Sequence, residues 1–216
     1  MAVGPHQGQP ILRAGRPVSE ARAAMVLAHG RGGSAQDMLD LAAELQWVEF
    51  AYLAPQAKDN TWYPFSFLAP LERNEPALSS ALALLEEVTG AVEAEGLGTS
   101  RTIFLGFSQG ACLVAEFAAR RARRYGAVVS LSGGVIGPPG LPRSYTGSLD
   151  GTPVFLGCSD VDPHVPRWRV EETAAVFRQM GGEVTERIYP GMGHTVNADE
   201  LNAVQGLMHA VLGADS

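Results

Sequence analysis

Thr102-Ile103-Phe104-Leu105-Gly106-Phe107-Ser108-Gln109-Gly110-Ala111 reads as a strand that runs into a helix through one sharp turn. An apolar, β-branched and aromatic run ends in Gly-x-Ser-x-Gly. A helical pattern follows at once through Cys112, Leu113, Val114, Ala115 and Phe117. So tight a turn forces the serine backbone into a strained region and presses strand against helix, so side chains at the flanking positions would clash and glycine is needed there. The strain lifts the Ser108 hydroxyl clear of the sheet edge. In a chain of this composition the bare pattern arises by chance about 0.2 times. It gains weight only from its flanking elements and from a base and an acid further along.

The rest of the chain repeats the same alternation. Ala23–Ala28 is apolar at every position and ends in His29-Gly30-Arg31-Gly32-Gly33, as suits a central parallel strand covered on both faces. Ser34 to Asp37 reads as a capping-box-like helix start, followed by Met38, Leu41, Leu45 and Val48 at helical spacing. Residues 11–18 suggest a short edge strand and residues 49–54 another strand. Residues 56–73 form a long loop crowded with Trp62, Tyr63, Phe65 and Phe67, and loops of that length usually have a job. Asn74 is expected to cap a helix whose apolar face is Leu78, Leu82, Leu85, Val88 and Val92. Strands are expected at 127–131, 153–157 and 184–189, with a Gly/Pro-rich loop at 135–152. Two helices complete the pattern, one through Val170, Ala174 and Phe177, and one capped by Asn197 and Glu200. Such alternation predicts an α/β fold, a mainly parallel central sheet of about seven strands flanked by helices, with its site at the C-terminal strand ends. Residues 1–216 read as one domain, with 1–10 a loose tail.

Composition narrows the function classes. With 216 residues, 46% hydrophobic and 18% charged, the chain is an ordinary globular sequence long enough to bury a core. Its net charge of −7 argues against a nucleic-acid or anionic-membrane partner. The basic run Arg120-Arg121-Ala122-Arg123-Arg124 suits the C-terminal end of the helix after Ser108. Cys112 and Cys158 sit in apolar surroundings and are expected to be free, buried thiols, which fits a cytoplasmic protein. Residues 1–10 lack the features of a signal peptide, and no apolar run approaches the ~18 residues of a membrane span. No cofactor is implied, and no His, Cys, Asp or Glu group has metal-ligand spacing. A monomer or homodimer is expected.

Two further strand ends carry chemistry. After residues 153–157 comes Ser159-Asp160-Val161-Asp162-Pro163-His164-Val165-Pro166, and after the last strand Gly191-Met192-Gly193-His194. Serine, acid and histidine thus follow one another in the chain order of α/β-hydrolase triads. A serine hydroxyl is a poor nucleophile until a base takes its proton, and an imidazole with a reference pKa near ~6.5 suits that role. A carboxylate must then hold the imidazole tautomer and stabilise the imidazolium. His29 reads as a structural histidine bracing its loop, and His164 as a residue of the site rim. His6 and His209 have no partner signal.

Taken together, Gly-Phe-Ser-Gln-Gly-Ala at 106–111, Asp-Pro-His-Val-Pro at 162–166, Gly-Met-Gly-His at 191–194 and His-Gly-Arg-Gly-Gly at 29–33 resemble the phospholipase/carboxylesterase family, which includes the acyl-protein thioesterases. The resemblance implies a compact α/β-hydrolase without a separate lid domain. It implies Ser108 as nucleophile and His194 as base. It implies Asp162, not Asp160, as the acid, because the family's catalytic Asp immediately precedes the Pro. Backbone N–H groups of Arg31 and Gln109 would form the oxyanion hole, each worth about 3 kcal/mol. The backbone of Gln109, not its side chain, is expected to matter. Residues 60–67, Asn-Thr-Trp-Tyr-Pro-Phe-Ser-Phe, look more like the bacterial carboxylesterase branch than the thioesterases. The implied activity is hydrolysis of short- to medium-chain or aryl carboxylic esters through an acyl-enzyme on Ser108. Trp62, Tyr63, Phe65, Val135, Ile136 and Val165 would line the substrate site. Lysophospholipids and acyl thioesters are alternative substrates, and a non-catalytic binding module is the alternative of a different class.

Overall fold

A computed structural model describes residues 4–45 and 47–213. The strands are β1 (Ile11–Gly15), β2 (Ala23–Ala28), β3 (Phe50–Pro55), β4 (Thr102–Phe107), β5 (Ala127–Leu131), β6 (Pro153–Ser159) and β7 (Glu183–Tyr189). The helices are α1 (Ala35–Leu45), α2 (Ala77–Ala94), α3 (Gln109–Arg120), α4 (Arg167–Gln179) and α5 (Ala198–Gly213). The strands form one seven-stranded sheet in the order β1-β3-β2-β4-β5-β6-β7. Only β1 runs antiparallel to its neighbour.

The sequence pattern explains the layers. Successive strand residues point to opposite faces. Ala24, Val26, Phe104 and Val128 pack with Leu85 of α2, Leu113 of α3 and Val170 of α4. Their neighbours Met25, Leu27, Ile103, Leu105 and Val129 pack with Met38 of α1 and Met208 of α5. Both faces being covered, β2, β3 and β5 are buried at every position, which is why they read as continuous apolar runs. Only the edge strand β7 alternates between exposed and half-buried residues. Among the described residues no helix is long and apolar enough to cross a membrane.

Helix starts follow the capping pattern at two places. Ser34 and Asp37 exchange side-chain and backbone bonds at 2.7 and 3.2 Å. Asn197 and Glu200 do the same at 2.9 Å. The Arg120–Arg124 run lies at the end of α3, where Arg120 pairs with Glu116, and Arg121 and Arg123 with Glu86.

Two expectations need correction. Asn74 does not cap α2, which starts at Ala77. Its buried amide instead accepts from the Phe65 N–H and donates to the Ser66 carbonyl, tying down the aromatic loop. The N-terminal segment is not a loose tail from Gly4 onward, while residues 1–3 lie outside the described residues. His6 is 1% exposed and bonded to three different residues, so residues 4–10 are seated on the body of the protein.

The register sets up the site. Ala28 lies beside Gly106, Phe107 beside Leu131, Leu131 beside Gly157 and Ser159 beside Tyr189. The parallel strands therefore end level with one another, and the loops after β2, β3, β4, β6 and β7 meet along one edge of the sheet.

Candidate active site

Ser108 occupies the turn between β4 and α3 with φ 54° and ψ −116°, a conformation few non-glycine residues adopt. Two glycines make the turn possible. A Cβ at Gly106 would collide with the Gly110 backbone, and one at Gly110 with the carbonyl of Ala28. The Ser108 N–H donates to the Leu131 carbonyl at 2.9 Å and anchors the turn to β5.

His194 and Asp162 reach Ser108 from the ends of β7 and β6. His194 Nδ1 lies 2.7 Å from Asp162 Oδ2, and Nε2 lies 2.8 Å from Ser108 Oγ. An ionised carboxylate only accepts, so Nδ1 carries the proton and Nε2 is left to accept from the serine hydroxyl. Burial of Asp162 works against its charge. The bonds from His194 and from the His164 and Val165 N–H groups, the latter two at 2.8 and 3.0 Å, outweigh it and hold the carboxyl below its usual value. Asp160 points elsewhere. It accepts the Gly191 N–H at 2.8 Å and tethers the loop that carries His194. Ser159 Oγ donates to the Met192 carbonyl of the same loop. His164 stands at the rim, its ring 4.8 Å from that of His194.

These groups open onto a cleft of about 610 Å³. Tyr63, Phe65 and Val165 line it, as do Phe67, Phe107, Cys112, Gly30 and Arg31. Trp62, Val135 and Ile136, expected on its wall, do not line it and are fully buried. Trp62 is too large and too well bonded to face the cleft. Its indole N–H donates to the His29 carbonyl at 2.8 Å, and its ring lies between those of His6 and His29. Val135 and Ile136 are held in the core by Arg169, which donates to the Val135 carbonyl at 2.6 Å, and by Glu116, which accepts the Ile136 N–H at 2.8 Å.

The wall is fastened by side chains whose bonding the sequence does not reveal. The Gln109 amide accepts the Trp62 N–H at 2.9 Å and donates to the Tyr63 carbonyl at 2.8 Å, so its side chain is bonded into the aromatic loop. The Arg31 guanidinium donates to the carbonyls of Tyr63, Pro64 and Phe65 at 2.8–2.9 Å. The loop after β2 and the aromatic loop after β3 are thus one assembly. His29 braces it: Nδ1 donates to the Gly30 carbonyl at 2.7 Å while Nε2 accepts the Ala57 N–H at 3.1 Å. His6 does likewise, accepting the Lys58 N–H at 3.1 Å and donating to the Trp62 carbonyl at 2.9 Å. Burial holds both imidazoles below their usual pKa. Cys112 and Cys158 are free and buried, and burial pushes each thiol up to about 12. One signal in the sequence did point to the cleft: Cys112 stands one helical turn beyond Ser108.

Gly30 packs against Ser108, since a Cβ there would lie 3.4 Å from the serine Cβ. Arg31 follows it, and Gln109 opens α3, where backbone N–H groups have no intrahelical partner. Both residues line the cleft beside Ser108. Among the described residues no group of three or more His, Cys, Asp or Glu side chains is arranged to hold a metal ion.

The sheet has counterparts in known proteins. A phospholipase/carboxylesterase from Dyadobacter fermentans superposes with a TM-score of 0.90 at 43% identity, over 94% of this chain and 97% of that one. The Bacillus cereus carboxylesterase shares the fold at a TM-score of 0.75 and 20% identity, over 95% of each chain. Acyl-protein thioesterase 1 of Saccharomyces cerevisiae is 32% identical over 111 residues, which are 50% of this chain and 48% of that protein. The chain spans about half the length of several curated relatives it matches. The phospholipase/carboxylesterase family pattern matches residues 13–212, nearly all of the sequence. An α/β-hydrolase sheet, a strained serine between two glycines and family likeness along almost the whole chain lead to one assignment: this protein belongs to the phospholipase/carboxylesterase family.

Proposed function

We propose that the protein is a serine carboxylesterase, with its chain forming one hydrolase domain. The observation that carries this reading is the unbroken line Asp162–His194–Ser108, with contacts of 2.7 and 2.8 Å, opening onto an apolar cleft. Ser108 Oγ adds to the ester carbonyl carbon and passes its proton to His194 Nε2. The carbonyl oxygen becomes an oxyanion facing the N–H groups of Arg31 and Gln109. Collapse expels the alcohol, which takes the proton from His194 and leaves the acyl group on Ser108. Water then adds to that acyl group, giving its proton to His194. The carboxylic acid departs as Ser108 regains the proton. Asp162 stays ionised throughout and stabilises the imidazolium.

Among the described residues the cleft wall carries no Asp, Glu or Lys, and the guanidinium of Arg31 is occupied by carbonyls. This favours uncharged, short- to medium-chain or aryl acyl groups. Thioester hydrolysis is a second reading, supported by the likeness to acyl-protein thioesterases. The two free thiols favour a reducing compartment, the cytoplasm. A fluorophosphonate probe tests the mechanism. It should label Ser108 in the folded protein and abolish hydrolysis of p-nitrophenyl acetate. A folded protein that neither reacts with the probe nor hydrolyses an ester is a binding module instead. A p-nitrophenyl ester series run beside a lysophospholipid and an acyl-CoA ranks the substrates.

A further inference from the structure

The acyl group attached to Ser108 has to go somewhere, and the geometry narrows the choice. With the oxyanion facing Arg31 and Gln109, His194 must protonate the leaving alcohol. The alcohol therefore occupies the side of His194, His164 and Phe107. The acyl chain is left with the rest of the lining, which includes Tyr63, Phe67 and Cys112. These three side chains are buried, at 1%, 8% and 1% exposure, whereas Phe65 at the rim is 42% exposed. The buried three form the floor.

Cys112 is one of the lining residues that α3 supplies. It lies one turn along α3 from Ser108 and on the same face, with its N–H donating to the Ser108 carbonyl at 3.0 Å. A Cβ at Gly133 would strike Ala111 and the Cys112 backbone, so the chain leaving β5 is already in contact with α3 there. One turn further, Glu116 is engaged by the Ile136 N–H and the Tyr145 hydroxyl, both at 2.8 Å. Cys112 thus lines the cleft while belonging to the same buried cluster as Val135 and Ile136.

We propose that the bulk of Cys112, not its thiol chemistry, closes the acyl half of the cleft and sets the longest acyl chain that fits. The assignment rests on the serine carboxylesterase reading and deepens it. Cys112→Ala opens the floor toward Val135 and Ile136, while Cys112→Met raises it.

The experiment measures kcat/KM for p-nitrophenyl acetate, butyrate, octanoate and decanoate with wild type, Cys112→Ala and Cys112→Met, each checked for folding by circular dichroism. The octanoate-to-acetate ratio should rise about tenfold in Cys112→Ala, the scale of one methylene in an apolar pocket. It should fall in Cys112→Met. A loss of stability alone lowers both substrates together and leaves the ratio in place. A Cys112→Ala ratio within about twofold of wild type overturns the assignment, whatever Cys112→Met does. A folded wild type that hydrolyses none of the esters overturns the carboxylesterase reading itself, and the Cys112 assignment with it.

Discussion

The two sides of the cleft are built on different physics. On one side, the loops after β6 and β7 hold Asp162 and His194 by short hydrogen bonds between groups that can carry charge, with His194 17% exposed to solvent. On the other, the aromatic loop after β3 is held by backbone carbonyls, amide side chains and two neutral imidazoles that stay buried. In the proposed mechanism the first side gains and loses a proton, which calls for access and a tuned carboxylate. The second has only to keep its shape, and burial holds the pKa of its two imidazoles below the usual value. Residue type alone therefore does not mark function here: His29 and His194 are the same side chain under opposite constraints.

This contrast can be broken experimentally. Ser108→Ala should lower kcat by about a million-fold if the polar side works as proposed, measured with p-nitrophenyl acetate. Turnover near wild type would remove Ser108 from the chemistry. Asp162→Asn should cost about 10⁴-fold by stabilising the wrong His194 tautomer, and Asp160→Asn far less. The reverse ranking would mean that the acid was misassigned.

The opposite wall should show a smaller, different effect. Arg31→Ala leaves the backbone N–H but releases the three carbonyls of residues 63–65. It should reduce kcat/KM by about 10- to 100-fold through misplacement of the wall, with the fluorophosphonate rate falling in parallel. Arg31→Lys should not restore it, because a point charge cannot span three carbonyls. Unchanged kinetics in Arg31→Ala would show that the wall needs no clamp.

The smallest effect concerns pH. His6 and His29 have pKa values held below the unfolded reference of ~6.5. Below that reference the unfolded chain binds more protons than the native one, so stability is full above it and declines as pH falls beneath it. Protonation would also cost each ring its acceptor bond to Lys58 or Ala57. His6→Gln should therefore shrink the drop in Tm between pH 8 and pH 5. An identical drop in wild type and variant would release His6 from this role.

Much of the fold was legible because burial on both faces writes itself into sequence. β2, β3 and β5 read as continuous apolar runs, and the helices as 3.6-residue stripes. The residues that meet at the strand ends were legible too, since so strained a turn needs glycines on either side and the serine, acid and histidine each follow a strand. The wall was not. Trp62, Val135 and Ile136 looked like substrate-facing residues, because an apolar side chain in a loop reads the same whether it faces a cleft or the core. Asn74 looked like a cap, because its amide bonds backbone equally well in a loop. His6, in a Gly/Pro-rich segment, gave no sign of its ring's partners, which lie 52 and 56 residues away.

By itself, the sequence determined the alternation of strands and helices, the strained serine between Gly106 and Gly110, and the order of serine, acid and histidine. These are local requirements of backbone and proton chemistry, met by particular residues at particular spacings. Tertiary structure alone decided that Asp160 ties down a loop, that the side chains of Arg31 and Gln109 fasten the wall, and that Cys112 lines the cleft. Those outcomes depend on which loops the level strand ends bring together, and a hydrogen bond between residues far apart in the chain leaves no periodicity to read.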